Sequence, residues 1–176
     1  MQAVGASSLN QAVKAVAVSR SFLEGDNLDL EVEVSRVPDE AIRNLIQLRL
    51  TKKPRSESAA HTPGEFVDLR CAATTETAAL GGAIAKNIRE KARVRVTAIG
   101  PNPVFRAVDA IVKARAFLAN DGMDIRFIPM FTTIENADHG PVNAMQFIIV
   151  SSKWERKRQQ EGRWEGVLGY NIRSTQ

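Results

Sequence analysis

Residues 3–36 and 98–131 are one passage written twice. At a constant shift of 95, without a gap, ten of the 34 positions are identical. They include Gly5/Gly100, Ala12/Ala107, Val13/Val108, Ala15/Ala110, Arg20/Arg115, Phe22/Phe117, Leu23/Leu118 and Asp29/Asp124. Self-similarity at a fixed long offset marks a repeated structural unit. Whatever one passage folds into, the other must fold into as well.

The fuller copy follows "TKKPRSESAAHTPG", which is rich in Ser, Pro, Gly and charge and has no periodicity, so it is expected to be a linker. "EFVDLRCAA" then alternates, with Val67, Leu69 and Cys71 on one side and Phe66, Asp68 and Arg70 on the other, as in a half-buried strand. "TTETAALGGAIAKNIREK" reads as a helix, with Thr74 or Thr75 as its cap, Leu80, Ile84 and Ile88 stacked at i, i+4, and Lys86, Arg89 and Lys91 near its C-terminal end. Gly81 and Gly82 are expected to permit close helix packing. "RVRVTAIG" alternates again. In the second helix, "PNPVFRAVDAIVKARAFLANDG", Asn102 is the expected cap and Pro103 the first residue, with Val104, Ala107, Val108, Ile111 and Leu118 inside. Asp109 and Lys113 make an exposed i, i+4 pair, and Phe117, like its counterpart Phe22, is expected to be largely buried. "MDIRFIPMF" and "VNAMQFIIVSS" close the unit as two strands joined by the loop "TTIENADHGP".

The fold class is therefore α/β, of the two-layer α+β kind: a β-α-β-α-β-β unit, a four-stranded sheet with two helices on one face, preceded by a partial second copy. The partial copy spans 1–52 and supplies the second helix and last two strands; 53–64 is the linker, 65–152 the complete unit and 153–176 a basic tail. A helix and hairpin have one apolar face and, without a strand-helix-strand, nothing to bury it against. The expectation is an upstream segment resembling residues 65–97, or another segment that completes the unit.

Composition narrows the function classes. The 176 residues suit one or two small domains, and the single cysteine excludes an internal disulfide framework. No run of 18 apolar residues exists to span a membrane. Residues 1–23 are poor in acids, as transit peptides are, but their repetition inside the chain marks them as folded protein. Net charge is +4, of which residues 153–176 carry +3, and "SKWERKRQQEGRW" suits nucleic acid, an acidic partner or a ribonucleoprotein surface. The composition fits an intracellular protein of cytoplasm or organelle, without choosing between them.

The run "LRCAATTETAALGGAIAKNIREKARVRVTAIGPNPVFRAVDAIVKARAFLANDGMDIRFIPMFTTIE" resembles the bacterial stage V sporulation protein S family. The likeness is carried by the capped helix, by "AIG", by the "AVxAxxxARxFL" helix and by "DIRFIPxF". Most of residues 65–151 take part, and "GASSLNQAVKAVAVSRSFL" is closer still to that family's second helix. Through that family the chain is similar to the Alba superfamily of small, often dimeric α/β proteins that bind DNA or RNA. The resemblance implies that fold, nucleic-acid binding and a regulatory role. One departure matters: the Alba loop after the first strand carries basic residues, whereas "AATTETAAL" has none and has Glu76, so no binding lysine transfers.

His61, His139 and Cys71 stand at no metal-ligand or Cys/His spacing, "GGAIAK" lacks the phosphate-loop spacing, and the acids form no cluster. No enzyme, metal or cofactor is expected. Strand parity is more informative. With Val67, Leu69, Val94, Val96, Ile125, Phe127, Met145 and Phe147 facing the helices, Arg70, Arg93, Arg95 and Arg126 point to the opposite face, with Lys86, Arg89 and Lys91 near one edge. These seven, with Lys153, Arg156, Lys157 and Arg158 of the tail, are the candidate nucleic-acid-binding residues. The alternative for the sheet face is a solvated surface neutralised by Glu65, Asp68 and Asp124. The first copy has Glu31 and Glu33 where the second has Arg126 and Ile128, so the two copies can dock on each other or on neighbours. Two functions follow: binding of nucleic acid, RNA ahead of DNA, within a ribonucleoprotein or regulatory complex; or, as the alternative, a non-enzymatic assembly protein forming homo- or hetero-oligomers.

Overall fold

The computed structural model describes residues 1–38, 42, 45–136 and 140–153. In chain order the strands are β1 (Gln2–Val4), β2 (Leu28–Arg36), β3 (Leu45–Pro54), β4 (Val67–Cys71), β5 (Val94–Ala98), β6 (Met123–Asn136) and β7 (Gly140–Lys153). The helices are α1 (Gly5–Leu23), α2 (Thr77–Arg89) and α3 (Pro101–Ala119). The fold is α+β. All seven strands join one mixed sheet in the order β1-β3-β2-β6-β7-β5-β4, with only β4 and β5 parallel. The sheet is larger than the four strands expected, because the edges of β2 and β6 meet.

One parity of strand residues builds the core. Leu30, Val32, Val34, Ile46, Leu48, Val94, Val96, Ile125, Phe127, Met145 and Phe147 form a single buried cluster with the inner stripes of all three helices. The helices therefore share one face of the sheet. Phe127 and Phe147 lie edge to face at its centre, 5.3 Å between centroids and 71° between planes. In α2 the stripe is Leu80, Ile84 and Ile88, as the spacing predicts, and Gly81 is the point of closest approach to α3. A Cβ there would sit 2.9 Å from the Ala110 carbonyl oxygen and 3.3 Å from the Ala114 nitrogen, so only glycine fits. Gly82 has open space instead and needs no such explanation.

The shift of 95 reappears in the contacts. The single bridge between β2 and β6 is Val32 opposite Phe127, which are each other's equivalents. Beside it Arg126 donates to Glu31, again an equivalent pair, at 3.0 Å with both side chains buried. Farther out the contacts are reciprocal: Arg20 binds Asp29 and donates to the Pro129 carbonyl, while Arg115 binds Asp124 and donates to the Val34 carbonyl. Residue i touching residue i+95, with reciprocal pairs on either side, sets the two similar passages of sequence face to face within one chain.

Local corrections follow from the same packing. Helix α2 is capped by Glu76, whose carboxylate accepts from the Ala78 and Ala79 N–H groups, while Thr75 accepts from the Ala72 N–H. Helix α3 starts at Pro101 behind Gly100 (φ 88°), one residue before the expected Asn102 cap. Asp109 is not an exposed partner of Lys113: it is buried, accepts from Thr77, and pairs with Arg36 as well. Phe22 is 79% exposed and Phe117 41%, against the expected burial. Both lie on the flank of their helix rather than on its inner stripe, and only Phe117 has α2 beside it, where Arg89 donates to its carbonyl. The β6–β7 hairpin extends through most of the expected loop, to Asn136 and from Gly140. His139 lies outside the described residues.

Candidate nucleic-acid interface

Strands β4 and β5 set Asp68 opposite Arg95 and Arg70 opposite Thr97, on the sheet face away from the helices. Arg95 grips Asp68 with two donors, Nε at 2.5 Å and Nη2 at 2.8 Å. That hydrogen bonding holds the Asp68 carboxyl below its ordinary range and raises the Arg95 guanidinium. Arg93 donates to two backbone carbonyls, Gly64 at 3.0 Å and Ala59 at 2.7 Å. Both guanidinium groups lie over the Phe66 ring, 3.9 Å (Arg93) and 4.9 Å (Arg95) from its centroid. Arg93 and Arg95 are therefore occupied by the chain itself. Their work is to hold residues 59–66 against the sheet.

The other end of that segment is also pinned. Ser58 is buried and donates to Asp29 at 2.5 Å, and His61 Nε2 lies 3.7 Å from the same carboxylate. Burial works against the charged form of Asp29, but donors from Arg20, Ser58 and the Leu30 N–H outweigh it and leave its pKa below the ordinary 3.8. Asp109 behaves alike: burial opposes the carboxylate, and Thr77 and Arg36 outweigh it. A carboxylate whose folded pKa is depressed stabilises the protein above its unfolded pKa, and that contribution is lost as pH falls through the folded value. Urea midpoints are thus expected to stay level above about pH 5 and to fall below about pH 4. Asp29→Asn should be less stable at pH 7 and show a shallower acid decline; an unchanged decline would contradict the assignment.

Of the remaining candidates, Arg126 is buried against Glu31, so it is not presented to solvent. Arg89 pairs with Asp121 at 2.7 Å. Arg70, Lys86 and Lys91 are exposed, and no side-chain hydrogen bond or ion pair ties them to another described residue, although the Arg70 charge helps to hold the Asp68 carboxyl low. Lys153 closes β7, and Arg156, Lys157 and Arg158 lie outside the described residues. The N-terminal N–H groups of α2 are taken by Glu76, which removes that helix end as a phosphate site and agrees with the absence of basic residues from the loop.

Arg70 stands at a cleft of about 600 Å³ beyond the carboxyl ends of β4 and β5, lined also by Cys71, Thr97, Ile99, Ile134 and Glu135. Sequence patterning gives no sign of the cleft, because the outer part of the β6–β7 hairpin, which forms one wall, reads as the loop "TTIENADHGP". Burial pushes the Cys71 thiol up, and its Sγ donates to the Pro103 carbonyl at 3.3 Å, so it is poorly suited to act as a nucleophile. Among the described residues no three His, Cys, Asp or Glu side chains come together as a metal group, and no helix is long and apolar enough to cross a membrane.

A mixed sheet carrying three helices on one face, with a parallel pair of strands at one end, defines a small α+β protein. Its family is established by sequence: Stage V sporulation protein S (SpoVS) matches over residues 1–44 and 67–152, and the chain belongs to that family. The match takes in α1 and β2 of the first half and nearly all of the second, and leaves out β3 and the segment that follows it.

Proposed function

We propose that this chain is a non-enzymatic, Alba-like nucleic-acid-binding protein acting within a ribonucleoprotein or regulatory complex. The element order β4-α2-β5-α3-β6-β7 supports the Alba-like reading. The observation that carries the binding is Arg70: exposed, without a side-chain hydrogen bond to a described residue, and placed at the mouth of the cleft at the parallel strand ends. Lys86 in the last turn of α2 and Lys91 just beyond it form a second basic patch at the opposite end of the parallel pair, and residues 153–176 add +3. Arginine forks two hydrogen bonds onto a phosphate, whereas few aromatic rings are available for stacking; Phe66 is already covered by Arg93 and Arg95. Backbone contacts with weak sequence preference follow, and RNA or another flexible single strand is the favoured ligand over duplex DNA.

The test is binding of a labelled single-stranded RNA across a KCl series. The triple change Arg70→Gln, Lys86→Gln, Lys91→Gln is expected to weaken binding at low salt and to reduce the salt slope by about two. Arg93→Gln with Arg95→Gln should lower stability while leaving that slope in place. If the triple variant binds normally and removal of residues 153–176 abolishes binding, the basic segment is the binding element and the sheet end is not. A wild type that retains no RNA or DNA at low salt leaves the assembly function instead.

A further inference from the structure

We propose that the outer face of α1 and the free edge of β1 dock a strand–helix segment of a separate chain, built like residues 65–92 but acidic at the position of Thr77. The template is inside the molecule. Helix α2 crosses α3 with Gly81 seated on Ala110, Lys113 and Ala114, and β4 pairs in parallel with β5. Subtracting 95 carries those three positions to Ala15, Val18 and Ser19 of α1, and carries the end of β5 to β1. Small residues stand at the crossing point in both helices. Ala110 and Ala114 are fully buried under α2, whereas Ala15 is exposed, Val18 is 43% exposed, and Phe22 beyond them 79%. Strand β1 pairs with β3 on one side, and no described strand pairs with its other edge.

Helix and strand thus lack their neighbour at matching positions, which a chance apolar patch would not produce. The surface also continues an interface already formed: α1 packs beside α3, and α3 beside α2, in one layer on one face of the sheet. Charge identifies how the occupant differs from α2. On α3, Asp109 accepts from Thr77 at the start of α2. The equivalent of Asp109 is Lys14, which is exposed and tied to no described residue. A partner helix laid in the same way brings its first turn to Lys14, so an Asp or Glu there completes the contact and also suits a helix N-terminus.

The test uses the whole chain. A second copy of residues 65–96 is joined directly ahead of Gln2, the junction dictated by the shift of 95. The chimera is expected to melt higher than the parent, Thr77→Glu in the added copy to enlarge the gain, and Ala15→Leu in α1 to abolish it. Ala15 is exposed, so Ala15→Leu should leave the parent's own melting unchanged. In trans, a labelled peptide of residues 65–92 carrying Thr77→Glu should bind the parent chain saturably and lose about tenfold in affinity against Ala15→Leu, the scale of one lost packed contact. A chimera with no gain, or a gain that survives Ala15→Leu, overturns the proposal. So does a gain in the chimera without binding in trans, which rejects a separate chain as the source. A parent chain that self-associates and is dispersed by Ala15→Leu makes a second copy the occupant and overturns it too.

Discussion

Arg126→Ala is expected to cost about 3–5 kcal/mol, lowering the melting temperature by on the order of 10 °C. Sequence parity set this arginine among the nucleic-acid contacts, on the face away from the helices. The parity is right, but β2 comes alongside β6 and brings Glu31 within 3.0 Å. Both side chains are more than nine-tenths buried. Removing the guanidinium leaves a carboxylate with little water and no opposite charge, which is the costly half of breaking a buried pair. The pair itself is not a large source of stability, since the Arg126 Nε finds no acceptor. A calorimetric shift of under about 2 °C would mean that Glu31 reaches solvent or another donor on its own.

Phe127→Ala is the second large effect, again about 3–5 kcal/mol. The ring is fully buried, packs edge-on against Phe147, and opposes Val32 at the one bridge that joins the two halves of the sheet. A cavity there weakens the core and the junction together, so both halves should melt in one transition at lower denaturant. The informative control is Phe22→Ala. The exposure of that ring predicts a change within about 0.5 kcal/mol, despite its identity with Phe117. If Phe22→Ala proved the costlier of the two in urea melts, the core would be wrongly placed.

These two positions show what was legible in the sequence. Period-2 alternation located β4 and β5 and the faces of their side chains, and i, i+4 spacing located Leu80, Ile84 and Ile88, because both signals are local. Identity between the two passages suggests core packing at Phe22 and Phe117, and there it misleads. Matching positions in two helices share a place, and a place on the flank is exposed unless another helix covers it. The same ten identities held a better signal: Arg20 with Asp29 and Arg115 with Asp124 are two oppositely charged pairs with equal spacing, and both form buried or half-buried ion pairs. Partners brought by strand order had no local trace. Nothing near Arg95 says that Asp68 will lie across from it, and nothing near Arg93 announces the carbonyls of Ala59 and Gly64. Residues 53–64 look like a linker because carbonyl acceptors and a single buried serine leave no periodicity. For the candidate site, the sequence named Arg70, Lys86 and Lys91 together with four other cations of the described sheet and helix. Only the pairing of each with its neighbours separates the two groups.

A charge-exchange cycle across the β2–β6 junction tests the central structural claim, that the two halves meet on equivalent residues and form one sheet. Glu31→Arg sets two arginines together and Arg126→Glu sets two carboxylates together, each in a buried site where like charges are strongly unfavourable. The double variant restores one of each sign with the roles reversed. Measured by denaturant melts of all four proteins, the account predicts two severely destabilised single variants and a double variant that recovers most of the loss, with a coupling of about 2–3 kcal/mol. Losses that simply add, leaving the double variant the least stable of the four, would contradict it.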